Sequence, residues 1–428
     1  MTTHPLLIRQ ARIIDPDSDY DAMGDVLVEG EVIAAIGPNL PAPVGADIVE
    51  ANGLALIPGL IDLRVSVGEP GAEHRETLGS AGRSAVAGGV TTIALTPDTT
   101  PVIDQAALIH HLTTQGKARS PARILAVGAL TKGLNGEELA EIGLMAEAGA
   151  AFFSQAQAPI LRASVVKRCL DYARGFDALV SLRPQDASLA AGGVMAQGEL
   201  AGRLGLKGVP ALAEWIGLDR DLTLAAAGNS RFLVDQVSSA GSLPRLAAAK
   251  RANPLIAASV SINHLLLNCL DIGDYRTFAK LDPPLREESD RLALIDAVES
   301  GLIDIVVSAH DPRPPEEKRV PFDEAAFGSI GVETLLSGLL ALVAEEALSL
   351  RAALAAVTCN PAKLLRAPFG RIAIGAPADL ALVDLTAPIV VDLEHLRSRS
   401  RNCALDGRRL QGRVAATFVA GRKVFDRH

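Results

Sequence analysis

The sequence contains no block of basic residues of the kind that nucleic-acid-binding surfaces carry. Charged residues make up 21% of the 428 residues, and the formal net charge is −9 at pH 7. Phosphate binding depends on clustered Lys and Arg, and the short stretch with Arg397, Arg399 and Arg401 is typical of a solvated loop. We therefore expect no nucleic-acid partner.

Long apolar runs and secretory signals are also missing. No segment approaches the roughly 20 apolar residues of a membrane span, and the opening stretch MTTHPLLIRQ has no basic region followed by a long apolar core. The cysteines lie far apart and include no CxxC pair, which favours reduced thiols over disulfides or a cysteine metal site. They are Cys169, Cys269, Cys359 and Cys403. We expect a cytoplasmic protein without a membrane contact.

Several catalytic fingerprints are absent as well. No glycine-rich dinucleotide or P-loop pattern follows an apolar run, and there is no Gly-x-Ser-x-Gly elbow. No cysteine has an evident histidine partner. The sequence therefore offers no candidate for nucleophilic catalysis.

The two ends of the chain have a β-rich character. LLIRQARII, DVLVEG and EVIAAIG are short strand-like runs separated by Asp, Gly and Pro. Near the other end, DLALVDL is strand-like, and Ala415 to Val424 is typical of a hairpin around Ala420 and Gly421. We predict that residues 1–57 and 367–428 form one small β-sandwich domain.

The middle of the chain alternates short apolar runs with helical patterns. Eight such runs are IDLRVS (61–66), TTIALTP (91–97), RILAVGAL (123–130), AAFFSQ (150–155), ALVSLR (178–183), RFLVDQVS (231–238), LIAASVS (255–261) and IDIVVSA (303–309). This pattern predicts an α/β fold, a (β/α)8 TIM-type barrel over residues 58–366. Periodicity alone leaves a doubly wound open sheet as an alternative.

In a barrel of this kind, functional groups lie at the C-terminal ends of the strands. The ends of the eight runs supply Arg64, Ser66, Gly68, Asp98, Thr131, Lys132, Gln155, Gln157, Arg183, Asp186, Asp235, Gln236, Ser261, Asn263, His264, His310, Asp311 and Arg313. A catalytic zinc needs about three ligands from neutral His, Asp, Glu or Cys. Few residues of this set can supply them.

Two histidines, His264 and His310, are the best ligand candidates, with Asp98, Asp235 and Asp311 as helpers. Each histidine is, however, more often an ordinary hydrogen-bonded residue of the barrel than a lone ligand. The sequence therefore predicts no complete zinc site.

Three arginines at the strand ends, Arg64, Arg183 and Arg313, cannot ligate a metal because a guanidinium stays protonated. They could clamp a carboxylate or phosphate of a ligand. The simpler hypothesis is that they pair with the aspartates of the same strand ends and fill the site, since buried charge must be paired.

The stretch PGLIDLRVSVGEPG, followed by AVAGGVTTIALTPDTT, resembles the start of a dihydroorotase barrel of the long bacterial type, which reads PGLIDLHVHLREPG, then AAAGGFTTV and MPNT. The resemblance continues through TKGLNGEELAEIGLMAEAGAAFFSQ, VSSAGSLPRLAAAK, DPPLREESDRLALIDAVESG, SAHDPRPPEEKRVPFDEAAFGSIGVET and GRIAIGAPADLALVDL. It covers nearly the whole chain. It implies a (β/α)8 barrel with a small β-domain built from both termini.

The resemblance also shows where the family's metal ligands fall. Its first-strand His-x-His pair falls on Arg64 and Ser66, and its bridging carboxylate falls on Gln155. The metal histidines of the fifth and sixth strands fall on Arg183 and Gln236. Zinc is expected in active relatives, and we predict that this chain holds none.

The substrate and proton-transfer positions differ too. The family's substrate-binding Arg falls on Gly68, and the Asn of MPNT falls on Asp98. In Thr-Asp-His-Ala-Pro-His, the catalytic Asp falls on Ala309, the following His is retained as His310, and the last His falls on Arg313. These replacements predict the loss of dihydroorotase activity.

Inactive dihydroorotase-like proteins of this family associate with the catalytic chain of aspartate carbamoyltransferase, so the resemblance implies that partner and a structural role. One alternative is an active cyclic amidohydrolase with a rebuilt site from Asp98, His264, His310 and Asp311. Another alternative is a small-molecule sensor. Self-association into a homo-oligomer stays open.

Overall fold

Strands from both ends of the chain pair into one sheet in the computed structural model, which describes residues 4–427. The N-terminal strands are β1 (Leu6–Asp15), β2 (Tyr20–Glu29), β3 (Val32–Gly37), β4 (Asp47–Glu50) and β5 (Ala55–Pro58). The last strands are β17 (Leu380–Val390), β18 (Arg409–Val419) and β19 (Arg422–Asp426). Their order is β19-β18-β17-β5-β1-β2-β3, with β4 beside β1.

This sheet curls so that its two ends meet. An apolar cluster joins side chains of β1, β2 and β3 with those of β17 and β18, including Ile33 and Phe418. The predicted turn at Ala420 and Gly421 has positive φ at both residues, 48° and 73°, as a tight hairpin needs. A Cβ on Gly421 would lie 2.4 Å from the carbonyl oxygen of Gly30, in the β2–β3 turn.

The middle of the chain forms the barrel. Its strands are β6 (Leu60–Val65), β7 (Val90–Leu95), β8 (Arg123–Ala126), β9 (Gly128–Ala129), β10 (Phe153–Ser154), β11 (Val180–Leu182), β14 (Phe232–Val234), β15 (Ile256–Ser261) and β16 (Ile305–Val307). Each of the eight predicted runs overlaps or contains one of them, and β8 and β9 are two halves of the third. The predicted (β/α)8 fold class is confirmed.

Hydrogen bonds close the ring of parallel strands. At the interruption between β8 and β9, the Val127 amide donates to Leu95 and the Gly128 amide to Phe152, at 3.2 and 3.0 Å. Between the first and last strands, the Ser66 amide donates to the His310 carbonyl at 2.8 Å. The barrel is therefore continuous, and the open-sheet alternative is wrong.

Helices surround the strands. They are α1 (Leu78–Ala87), α2 (Ala106–Arg119), α3 (Ile142–Glu147), α4 (Ala163–Arg174), α5 (Ala187–Ala190), α6 (Glu199–Leu204), α7 (Ala211–Gly228), α8 (Leu243–Ala252), α9 (Ile262–Leu266), α10 (Glu288–Glu299), α11 (Pro315–Lys318), α12 (Leu335–Ala344), α13 (Leu350–Ala355) and α14 (Cys359–Leu365). A short strand pair, β12 (Met195–Ala196) and β13 (Gly208–Val209), precedes α7. Within residues 4–427, no helix is long and apolar enough to cross a bilayer.

An apolar core fills the barrel interior. One cluster takes a side chain from each strand region, namely Ile61, Ala94, Val127, Phe152, Leu179, Leu233, Ala257 and Ile305. Ala362, in α14, and Phe369, which follows α14, belong to the same cluster. Because the interior is packed, polar chemistry is restricted to the C-terminal ends of the strands, called the mouth below.

Candidate functional site

The strand ends converge on a small polar cavity. Its lining includes Arg64, Ser66, Gln157, Gln236, Ser261, Asn263, His264, Leu281, Asp282, Ala309, His310, Asp311, Gly328 and Ser329. The cavity volume is about 20 Å³, and one water needs about 10–15 Å³. The mouth is therefore nearly closed, with no room for a six-membered ring in this conformation.

The centre of the mouth contains a buried ion pair. Arg64, in β6, donates through Nη1 to Oδ2 of Asp235, which directly follows β14. The two residues are only 6% and 4% exposed. Removing one partner of such a pair typically costs about 3–5 kcal/mol, because the other charge stays buried and unpaired.

A second ion pair lies beside the first. The Arg183 guanidinium, just after β11, pairs with Asp282 and also donates to Oε1 of Gln185. Sequence reasoning missed Asp282, because it lies in a loop that no strand run predicts. Asp282 begins the stretch DPPLREESD, which resembles the dihydroorotase family, and this resemblance was the signal that could have identified it.

A third pair closes the edge of the mouth. Arg313 donates through Nη2 to Oδ2 of Asp311 at 2.9 Å, and Gln157 donates to the same oxygen at 3.4 Å. Burial raises the pKa of Asp311, and Arg313 acts in the opposite direction. Asp98 is exposed at the rim. The predicted pairing of strand-end arginines with strand-end aspartates thus holds for Arg64 and Arg313. Arg183 instead pairs with Asp282, which lies in a loop.

His310 is held by the backbone and by a buried carboxylate. Its Nδ1 accepts from the amides of Gly331 and Val332 at 3.2 and 3.5 Å, so Nδ1 carries no proton. Its Nε2 lies 3.6 Å from Oε2 of Glu76. Burial raises the pKa of Glu76, but contacts with His310 and Ser398 outweigh burial and leave that pKa below its ordinary value. Sequence reasoning missed Glu76.

His264, in α9, is almost fully buried. Its Nε2 faces the carbonyl oxygen of Pro284 at 3.3 Å, and burial lowers the pKa of the imidazole to about 4. The side chain is therefore neutral near pH 7. His264 and His310 line the same cavity, but each has its own partners.

Another buried carboxylate links the first and last strands beneath the mouth. Asp62, in β6, accepts hydrogen bonds from the hydroxyl and the amide of Ser308 and from the Arg64 amide. Burial raises the pKa of Asp62 to about 6. Sequence reasoning did not single out this residue.

The wall formed by Gly328 and Ser329 is anchored from two sides. Lys318, in α11, donates through Nζ to the carbonyl oxygens of Ala326 and Gly328 at 2.7 and 3.0 Å. Asn402 donates to the Gly328 carbonyl at 3.1 Å. Burial lowers the pKa of Lys318 to about 7.

Amides and small residues occupy the other strand ends. Gln155 donates to Oγ1 of Thr131 at 2.7 Å, and the Ser66 hydroxyl contacts that of Thr96 at 2.9 Å. Gln236 and Ala309 have positive φ values of 59° and 51°. None of these groups carries a charge at neutral pH.

Comparisons with known proteins agree with this architecture. Residues 53–242 match the family model described as Dihydro-orotase-like, and residues 334–425 match the Amidohydrolase family. A protein named Dihydroorotase from Pelobacter propionicus is 39% identical over 422 residues, covering 99% of this chain and 100% of that protein. Another from Anaeromyxobacter dehalogenans is 38% identical, covering 98% of both chains. This chain belongs to the dihydroorotase family.

Solved structures of cyclic amidohydrolases share the fold. The L-hydantoinase of Arthrobacter aurescens superposes with a TM-score of 0.89 at 23% identity, covering 99% of this chain and 96% of that one. The dihydropyrimidinase of Brevibacillus agri gives a TM-score of 0.86 at 20% identity, covering 99% and 95%.

The donor set of this dihydroorotase-family chain does not fit a metal. Within residues 4–427, no three His, Cys, Asp or Glu side chains converge on a point that could hold an ion. The four residues proposed for a rebuilt site are not brought together as ligands, because His310 and Asp311 are engaged and Asp98 is exposed at the rim.

The backbone at Gly68 does not accommodate the arginine that the family resemblance places at this position. Its amide donates to the Glu76 carbonyl at 3.0 Å. A Cβ at this position would lie 1.7 Å from the carbonyl oxygen of Ala72. The Arg that the family resemblance places here therefore requires a different loop conformation.

Proposed function

We propose that this chain is a catalytically inactive member of the dihydroorotase family, acting as a structural subunit with the catalytic chain of aspartate carbamoyltransferase. The observation that carries the proposal is the buried pair of Arg64 and Asp235. A guanidinium occupies a strand end where the family resemblance expects a metal ligand, and it would repel a dication at short range.

The missing chemistry supports the inactive role. A zinc ion lowers the pKa of bound water from about 16 to about 7, and that hydroxide attacks the amide in metal-dependent hydrolases. A positioned carboxylate contributes roughly 10²–10⁴-fold through proton transfer, which Ala309 cannot provide. Ligands, proton shuttle and substrate arginine are replaced together, while the scaffold is retained.

An exposed apolar surface is compatible with a protein partner. Leu212 and Ile216 lie one turn apart on α7 and are 46% and 42% exposed. The loop bearing Leu161, 70% exposed, is tied to α7 because Arg220 donates to the Ile160 carbonyl at 2.8 Å. Contiguous apolar patches mark candidate interaction surfaces, and we place the partner's contact at these three side chains. The identity of the partner comes from the family resemblance.

Size-exclusion chromatography with light scattering tests the partnership. Mixed at micromolar concentration, this chain and its cognate transferase should elute as one complex, and the transferase should gain stability by mass action. Leu212→Glu with Ile216→Glu should weaken the complex, whereas Leu144→Glu, at an exposed leucine of α3, should not. Separate elution, with transferase activity unchanged by this chain, would refute the structural role.

The second candidate is an active cyclic amidohydrolase. It is favoured by the 39% identity with a protein named Dihydroorotase. It requires another ligand arrangement from the same residues, and metal analysis of protein purified without chelator tests it. A small-molecule sensor has less support, because the three mouth arginines are paired and the cavity measures about 20 Å³.

A cytoplasmic location is part of the proposal. Within the described chain, the four cysteines form no disulfide, and three of them are buried. Unpaired cysteines are usual in reducing compartments.

A further inference from the structure

A groove of about 340 Å³ is lined by residues of β12, α6, the 3₁₀ turn Cys269–Ile272 and the start of α10. We propose that this groove is a docking site for a protein segment that presents an apolar side chain flanked by Lys or Arg. None of its lining residues belongs to the surface of Leu161, Leu212 and Ile216. The inference therefore does not depend on the proposed transferase partnership.

The floor of the groove is apolar. It is formed by Met195 and Ala196 of β12 and by Leu200 of α6. Leu270 lies at the edge of the groove and is 67% exposed. The volume falls in the range of about 300–1,000 Å³ that is typical of binding pockets. Exposed apolar surfaces framed by polar residues mark sites of protein interaction or ligand binding.

The rim of the groove carries more negative than positive charge. Three carboxylates line it, those of Glu199, Glu287 and Glu288. Within the described chain, Arg203 is the only cation of the lining. Glu288 is paired with Arg291, but Glu199, Glu287 and Arg203 form no ion pair with any of residues 4–427. Two unpaired carboxylates are therefore available to a basic partner, whose charge would complement them.

The negative charge also acts inside the groove. A Cβ built on Gly198 would lie 3.5 Å from Oε1 of Glu287, so this carboxylate lies against the residue that precedes α6. Burial and the Glu287 carboxylate raise the pKa of the Cys269 thiol, which lines the same groove. The thiol is therefore protonated near pH 7 and adds no charge of its own.

Hydrogen bonds between its walls hold the groove in shape. Asn268 donates through Nδ2 to Oε2 of Glu288 at 2.8 Å, which joins the 3₁₀ turn to α10. The Tyr275 hydroxyl donates to the Leu204 carbonyl oxygen at 2.8 Å, which joins the following segment to α6. Because these walls are connected before a partner arrives, binding loses little free energy in ordering them.

The charge of the rim distinguishes between occupants. A second copy of this chain, docked through the same groove, would bring the same excess of carboxylates, and like charges facing each other disfavour association. A small organic cation would meet the carboxylates but would leave Leu270 exposed. A segment with an apolar side chain between basic residues matches both the apolar floor and the acidic rim.

Selection of phage-displayed random peptides on the full chain tests the proposal. We expect enriched sequences with an apolar residue flanked by Lys or Arg. Glu199→Lys with Glu287→Lys should replace this preference by one for Asp or Glu. Glu141→Lys with Glu147→Lys, two exposed residues outside the groove, is the matched control and should leave the selected sequences unchanged. No enrichment, or the same sequences on wild type and the first variant, would overturn the proposal.

Cys269 provides an independent measurement in solution, because it lines the groove and the other three cysteines are buried. At about ten times its dissociation constant, an enriched peptide should slow alkylation of Cys269 by iodoacetamide about tenfold. A peptide that binds without protecting Cys269 would place the docking site elsewhere and refute the assignment.

Two further outcomes would assign the groove to another occupant. Equal protection of Cys269 by free cadaverine would identify a site for small organic cations. Light scattering of the chain alone that shows a dimer, dissociated by Leu270→Glu, would identify a second copy. Either result would overturn the proposed protein segment.

Discussion

Arg64 and Asp235 lie 171 positions apart in sequence, yet their side chains form an ion pair at the centre of the mouth. We expect Arg64→Met to reduce the free energy of unfolding by about 3–5 kcal/mol, because the change leaves the buried Asp235 carboxyl without its ion-pair partner. Urea denaturation measures the loss. Arg64→Met with Asp235→Leu should recover most of it, and equal losses in single and double variants would show that the pair is not the cause.

Gly68 should not tolerate a side chain. Gly68→Ala places a Cβ 1.7 Å from the Ala72 carbonyl oxygen, so we expect a loss of about 1–3 kcal/mol or more, as for other overpacked sites. Gly202→Ala is the control, because no atom lies within 4 Å of its Cβ in α6. That change should be neutral or stabilise by about 0.5–1 kcal/mol. Thermal unfolding of both variants compares them directly.

His264 should make stability depend on pH. Burial lowers the pKa of His264 from 6.5 to about 4, so the unfolded chain binds more protons between these values and stability is lost as pH falls. His264→Gln cannot bind that proton. The free-energy difference between wild type and variant should therefore change by up to about 3 kcal/mol between pH 6.5 and pH 4. A constant difference across this window would contradict the expected titration.

Dihydroorotate hydrolysis and the reverse cyclisation should be undetectable above background at neutral pH. Arg64→His alone should not restore them, because ligands and proton shuttle act as a unit. The Pelobacter propionicus relative, assayed in parallel, provides the reference. Metal-dependent turnover by the unmodified chain would refute the proposed inactivity.

The barrel could be predicted from sequence because its strands are buried on both faces and appear as short apolar runs. The third strand shows the limit of this approach, since an unbroken run at 123–130 becomes two strands interrupted at Val127. The change of hydrogen-bond partners at that point depends on neighbouring strands, which are distant in sequence.

The site was less predictable than the fold. Strand-end positions identified Arg64, His264 and Asp311, because barrel geometry determines where strands end. Asp282 and Glu76 were missed, since loop conformations bring them to the mouth and local sequence does not specify those conformations. Their roles depend on partners more than 90 positions away, Arg183 and His310 respectively.

The shared terminal sheet has a consequence for synthesis of the chain. β5 pairs antiparallel with β17, with Ala55 opposite Val383 and Pro58 opposite Leu380. One edge of β5 therefore stays unpaired until residues more than 300 positions later have been synthesised. At ordinary translation rates this wait is on the order of half a minute. During that interval an unpaired apolar strand edge is available to other chains. A fragment released after translation stops within the barrel segment would therefore expose this aggregation-prone edge of β5.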